Sequence, residues 1–201
     1  MKLYYVPQTR SSRPRWLLEE IGAPYEIVRL DVAAKENRKA EYLALNPLGH
    51  VPTLVDGGVV IYETLAICLY LADRFPDKRL APAPGDPQRA LYLQWIVFSV
   101  ASIERVAEQV DDHARRLPEG DRQPRLADAA RARFAELARV VATALGDREY
   151  LVGGDFSAAD IMMASGFAWA KQLGLLAGFP GLEAYVHRAI TRPAAKRARG
   201  D

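Results

Sequence analysis

Only one cysteine, Cys68, occurs in 201 residues, and the three histidines, His50, His113 and His187, lie far apart. A lone cysteine excludes an internal disulfide framework and a Cys-x-x-Cys redox pair, and it fits a reducing compartment. Its apolar neighbours Ile67, Leu69 and Leu71 make it read as an inert core thiol. Scattered histidines give no metal-ligand spacing, so no zinc or iron site is expected. Charge of one sign is also missing: 27 basic against 25 acidic residues leave a formal net charge of +2. That balance gives no strong field toward nucleic acid or acidic membranes. Neither a Gly-x-Gly-x-x-Gly nor a Walker pattern is present, and Gly153-Gly154 reads as the turn before a helix. No secretory leader is recognised, and the apolar run from Leu65 to Ala72 is too short to span a bilayer. The expectation is a cytoplasmic protein with no nucleic-acid or membrane partner, whose basic tail Lys196-Arg197-Ala198-Arg199 is simply solvated.

What is present is a globular composition, half hydrophobic and about a quarter charged. Along the first third, strand and helix signals alternate. Lys2 to Val6 reads as a strand, Arg13 to Ile21 as a helix ended by Gly22, Tyr25 to Leu30 as a strand, and Glu36 to Leu45 as a short helix. Pro52 to Val55 and Val59 to Tyr62 flank Asp56-Gly57-Gly58 as a β-hairpin, and a buried helix follows from Glu63 to Arg74. The order is βαβ, then α, then ββα. Pro-rich Leu80 to Gly85 reads as a linker. Beyond it, Asp86 caps a long helix that begins at Pro87 and runs to about Arg116, and a second spans about Leu126 to Leu145. Ser157 and Asp160 form a capping box, with Phe156 against Ile161 as a staple, and a last helix lies near Leu182 to Ile190. The fold class expected is α/β plus all-α: a thioredoxin-like βαβ-α-ββα domain over residues 1–77, a linker over 78–86, and a helical bundle over 87–201.

The most informative stretch is Asn46-Pro47-Leu48-Gly49-His50-Val51-Pro52-Thr53-Leu54, followed by Glu63-Thr64 at a helix start. Gly49 permits a tight turn, and Val51-Pro52 before an apolar strand suggests a cis peptide that turns the Val51 amide and carbonyl toward an extended ligand. Glu63-Thr64 brings a carboxylate, a hydroxyl and bare helix N–H groups together, a set suited to the ammonium and carboxylate of an amino-acid end. The ligand these groups fit is short, acidic and peptide-like.

In the order and spacing of these segments, with Ala66-Ile67, Tyr70-Leu71-Ala72 and Gly154-Asp155-Phe156-Ser157-Ala158-Ala159-Asp160, the chain resembles the cytosolic glutathione S-transferases over almost its whole length, and in particular the bacterial, serine-type-like members. The resemblance implies glutathione as co-substrate and no metal, with Val51 and Pro52 along its cysteinyl part, Glu63 and Thr64 at its γ-glutamyl end, and His50 near its glycyl carboxylate. It implies a homodimer that uses surface in the Tyr62 to Leu71 region. It also implies a small hydrophobic electrophile as second substrate, entering between the domains, for which Phe98, Ser102 and Arg105 share one side of the long helix at ideal helical spacing. As a transferase the protein serves detoxification.

Glutathione is a poor nucleophile while protonated, so such an enzyme must favour the thiolate, by a helix N-terminus and a hydroxyl donor. The loop Gln8 to Arg13 is where that donor belongs. The serine of serine-type members falls on Thr9, and the cysteine of another bacterial class falls on Arg10. Candidates are therefore Thr9, then Ser11, with Ser12 behind it as a helix cap, Arg10 as a source of charge, and Tyr5, which corresponds roughly to the donor of tyrosine-type members. The departures at Thr9 and Arg10 leave a rival reading open, a non-catalytic glutathione-binding or regulatory protein with the same fold.

Overall fold

The computed structural model describes residues 1–199. Four short strands, β1 (Lys2–Tyr5), β2 (Glu26–Arg29), β3 (Thr53–Asp56) and β4 (Val59–Tyr62), form one sheet in the order β2-β1-β3-β4. β1 runs parallel to β2 and antiparallel to β3, which is antiparallel to β4. The parallel pair needs a crossover, and α1 (Ser12–Ile21) supplies it. Gly22 ends α1 in the left-handed conformation at φ 71°. The expected helix from Glu36 splits into a 3-10 turn, Glu36–Arg38, and a single turn, α2 (Ala40–Leu43). Extended Lys39, at φ −67° and ψ 148°, interrupts it. Helix α3 (Thr64–Arg74) follows the hairpin.

Alternation along β1 sends Leu3 and Tyr5 into a core with Leu54, with Trp16, Leu17 and Ile21 of α1, and with Ile67, Cys68 and Leu71 of α3. Tyr4 points the other way and meets Tyr42 of α2 at 5.2 Å between ring centroids. Cys68 is fully buried, in line with the inert thiol expected of it.

Contacts divide the chain into two compact units, and the C-terminal segment from Thr191 belongs with Met1–Ala81 rather than with Pro82–Ile190. That grouping differs from the expected 87–201 domain, and its physical reason is a set of charge pairs no local pattern announces. Arg192 donates from Nε and Nη2 to the two carboxylate oxygens of Glu20 at 2.7 and 2.9 Å. Arg197 of α9 (Pro193–Arg199) donates to the Glu19 carboxylate at 2.6 Å and to the Glu19 carbonyl at 3.1 Å. The basic tail is therefore packed along α1, and the solvated reading of it is corrected.

In the second unit the long helix has four parts: α4 (Gln88–Phe98), a π-helical stretch Ser99–Glu104, α5 (Arg105–Asp111), and a second π stretch Asp112–Arg116. Asp86 caps it, accepting the Gln88 amide at 2.8 Å. Among the described residues, Gln88–Arg116 is one helix long and apolar enough to cross a membrane by length and composition. It packs against α6 (Pro124–Leu145) and α7 (Ala158–Gln172). Buried Asp160 accepts the amides of Leu151 and Ser157 and the hydroxyls of Ser157 and Tyr185, all within 3.0 Å, and so ties the entry of α7 to α8 (Pro180–Ile190).

Candidate functional site

One rung of the sheet organises the first unit: Tyr4 pairs with Thr53, and Thr53 with Tyr62. The loop that follows β1, the turn that precedes β3 and the residue that follows β4 are thereby brought to the same end of the sheet. They hold Thr9 to Ser11, Val51-Pro52 and Glu63-Thr64 respectively. From β1 to β4 is two strand spacings, about 10 Å, which is the length of about three extended residues.

The middle of this line is built rigidly. Gly49, at φ 62°, lies so close to the Asn37 carbonyl that a Cβ would sit 2.7 Å from its oxygen. The Asn37 side-chain amide donates to the Gly49 carbonyl at 2.7 Å, and Arg38 donates to that of Leu48 at 3.1 Å. The His50 carbonyl accepts from the Tyr42 hydroxyl at 2.5 Å and from the Asn46 amide at 2.8 Å. Burial pushes the Tyr42 phenol up, so it remains a donor. The Val51–Pro52 peptide is cis. Among the described residues the backbone N–H and C=O of Val51 take no hydrogen-bond partner, whereas the flanking carbonyls of Gly49 and His50 do. The His50 side chain is exposed. Apart from Asn46, which belongs to the recognised stretch, this framework was missed by sequence reasoning, because Asn37, Arg38 and Tyr42 occupy no recognisable spacing.

At one end stands Glu63, exposed, with φ 73° and ψ 115°. A non-glycine residue held there costs on the order of 1–3 kcal/mol, and such conformations cluster at ligand clamps. Thr64 opens α3 and is 9% exposed. The first backbone bond of that helix is Ile67 N–H to the Glu63 carbonyl at 3.0 Å. The N–H groups of Thr64, Leu65 and Ala66 thus have no protein acceptor among the described residues, and no side chain caps them. They are suited to a carboxylate.

At the other end the start of α1 is saturated. Ser12 and Arg13 donate their amides to the carbonyls of Thr9 and Arg10 at 3.1 and 3.3 Å, and the Ser11 amide donates to Thr9 Oγ1 at 3.2 Å. Ser11, at the N-cap position, makes no side-chain cap bond, and Ser12 is already the first residue of the helix, its hydroxyl donating to the Thr9 carbonyl at 2.9 Å. The cap expected of Ser12 is therefore corrected. Thr9 and Arg10 are exposed, while Ser11 has no exposed surface. Tyr5 is 1% exposed, with the Arg15 guanidinium 5.0 Å from its ring centroid.

In the second unit, Phe98 is half-buried and meets Trp95 edge-on at 5.6 Å, Ser102 is half-buried, and Arg105 is exposed and paired with Glu108 at 3.4 Å. A π-helical stretch, Ser99–Glu104, lies between Phe98 and Arg105 and carries Ser102. Among the described residues no group of three or more His, Cys, Asp or Glu is placed to hold a metal ion.

Residues 1–73 match the model of the glutathione S-transferase N-terminal domain, and residues 90–193 that of the C-terminal domain. Glutathione S-transferase GstA of Escherichia coli O157:H7 is 29% identical over 196 residues, covering 96% of this chain and 94% of that protein. Among solved structures, the ternary complex of the bacterial transferase BphK is 32% identical with a TM-score of 0.86, covering 100% of this chain and 98% of that one. A sphingomonad glutathione S-transferase complexed with glutathione is 30% identical with a TM-score of 0.85, at the same coverage.

Proposed function

The chain belongs to the glutathione S-transferase family, and we propose from that premise how its own residues perform the transfer. Glutathione lies across the sheet end. Its cysteinyl backbone pairs with the free N–H and C=O of Val51 beside Pro52. Its γ-glutamyl carboxylate takes the Thr64 hydroxyl and the open N–H groups of α3, with Glu63 at its ammonium. His50 stands by the glycyl carboxylate. The observation that supports this placement is the Tyr4–Thr53–Tyr62 rung, which gathers all three segments at one sheet end over a tripeptide's length.

Thr9, exposed and at the start of α1, then donates its hydroxyl to the cysteinyl sulfur, and Arg10 adds positive charge beside it. A donor to sulfur favours the thiolate over the thiol. The thiolate attacks an electrophilic carbon of a small hydrophobic molecule; a C–S bond forms, the leaving group departs with the bonding pair, and the thiol proton has already passed to solvent. Buried Tyr5 is given no part in this chemistry, and on the helical unit Phe98, Ser102 and Arg105 are the residues proposed to contact the electrophile. We place the enzyme in the cytoplasm as a detoxifying homodimer. Relatives named as transferases do not favour the non-catalytic alternative.

Calorimetry with glutathione, paired with turnover of an activated aryl halide, tests this. Saturable binding with turnover is expected from the wild-type protein, and Glu63→Gln is expected to raise the glutathione KM tenfold or so with a smaller change in kcat, about 1.4 kcal/mol of binding. No heat of binding at millimolar glutathione would remove the mapped pocket.

A further inference from the structure

We propose that Ser11, which has no exposed surface and cannot touch a ligand, is a positioning residue that makes Thr9 a directed donor; the proposal rests on Thr9 being the thiolate's partner. Three short oxygen–oxygen contacts form a triangle: Thr9 Oγ1 to the Val6 carbonyl at 2.8 Å, Ser11 Oγ to the same carbonyl at 2.8 Å, and the two hydroxyl oxygens to each other at 2.7 Å. Only two hydroxyl protons serve the three contacts. Two hydroxyl oxygens at 2.7 Å repel unless a proton lies between them, so one proton always occupies the Thr9–Ser11 side. Two arrangements remain. Thr9 donates to Ser11 and Ser11 to Val6, or Ser11 donates to Thr9 and Thr9 to Val6.

Backbone amides bias both oxygens further. The Val6 N–H donates to Ser11 Oγ at 3.1 Å, and the Ser11 N–H donates to Thr9 Oγ1 at 3.2 Å. In the second arrangement a chain of donors runs from Val6 N–H through the Ser11 hydroxyl to Thr9, and only the last proton is free to turn. When a thiolate arrives, the Thr9 proton leaves the Val6 carbonyl for sulfur, and Ser11 continues to donate to the oxygen left behind. Each bond in such a chain polarises the next, so Ser11 strengthens the donor without reaching the ligand. It also makes the response nearly two-state: the proton points to the carbonyl without an anion and to sulfur with one. Charged and titratable groups on the same elements are Arg10 in the loop, Arg13, Arg15, Glu19 and Glu20 in α1, and Lys2, Tyr4 and Tyr5 in β1, all of which the substitutions below leave in place.

The test is a double-mutant cycle read in the pH profile of kcat/KM for an activated aryl halide, which reports the glutathione thiol. Thr9→Val, which keeps the shape and removes the hydroxyl, is expected to raise the apparent pKa by about one unit. Ser11→Ala should raise it by about half as much, because Thr9 stays but loses its supporting donor. In the Thr9→Val background, Ser11→Ala should add nothing. Thr9→Ser should keep the wild-type pKa. If Ser11→Ala shifts the profile equally in both backgrounds, or not at all beside wild type, the relay is wrong. If Thr9→Val leaves the pKa unmoved, the donor assignment itself falls. Should Ser11→Ala fail to fold, Ser11→Cys fills the same space with a weaker donor and carries the same cycle to the same outcomes.

Discussion

At the scale of single residues, the site is set by groups whose geometry conflicts with ordinary preference. Glu63 holds φ 73° while its side chain makes no capping hydrogen bond among the described residues, so stability and function oppose each other there. Glu63→Gly removes a penalty of about 1–3 kcal/mol while adding about 0.5–1 kcal/mol of unfolded-state entropy. Its denaturation midpoint is expected to hold or rise as the glutathione KM climbs at least tenfold. Gly49 is the reverse case. A Cβ 2.7 Å from a backbone oxygen must displace the loop that carries Val51, and Gly49→Ala should weaken both stability and glutathione affinity, measured by thermal unfolding and calorimetry. The candidates were legible because glycine, an X-Pro step and a carboxylate at a helix start carry their chemistry in residue type alone. What residue type did not carry was burial. Thr9 and Ser11 are equal hydroxyls on paper, and only the fold of the loop exposes one and encloses the other.

At the scale of elements, periodicity and turn chemistry marked the strands, the hairpin and most helices to within a few residues. Asp56-Gly57-Gly58 announces the hairpin, and Gly22 announces the end of α1. The misses have local causes: Lys39 splits a short helix, and π turns interrupt the long one, neither with a residue signature. The larger omission is α9. Its attachment depends on Arg192 and Arg197 meeting Glu20 and Glu19, 172 and 178 residues away, which no window of sequence contains. Arg192→Ala breaks a two-bonded pair with Glu20, whose side chain is 10% exposed, and is expected to cost about 1.5–3 kcal/mol in denaturant unfolding. The same cluster gives a pH dependence. Burial and the bond to Glu19 push the Tyr25 phenol up to about 12 from its ordinary 10. A pKa raised by folding contributes stability that is complete below the unfolded value and lost as pH climbs to the folded one. The unfolding midpoint should therefore fall between pH 10 and about 12, and Tyr25→Phe should flatten part of that fall. Burial opposes ionisation of Glu19, but bonds from Tyr25 and Arg197 outweigh it and hold its carboxyl low, so its contribution is lost at acid pH.

At the scale of the whole molecule, order and spacing of segments identified a two-part chain where composition alone could not. Exposed Val59, Val60 and Tyr62 on the edge strand β4 leave an apolar margin that a second copy is proposed to cover. Light scattering should find a dimer for the wild-type protein and a smaller mass at equal concentration for Val60→Glu; a wild-type monomer would contradict it. Catalysis turns on the state of the bound sulfur. Ultraviolet titration of glutathione held at saturation reads it directly. We expect thiolate absorbance to develop well below the ordinary thiol pKa of about 8.5 on the wild-type protein, and about one unit higher on Thr9→Val. Coincident curves for the two proteins would contradict the placement of the tripeptide's sulfur at Thr9.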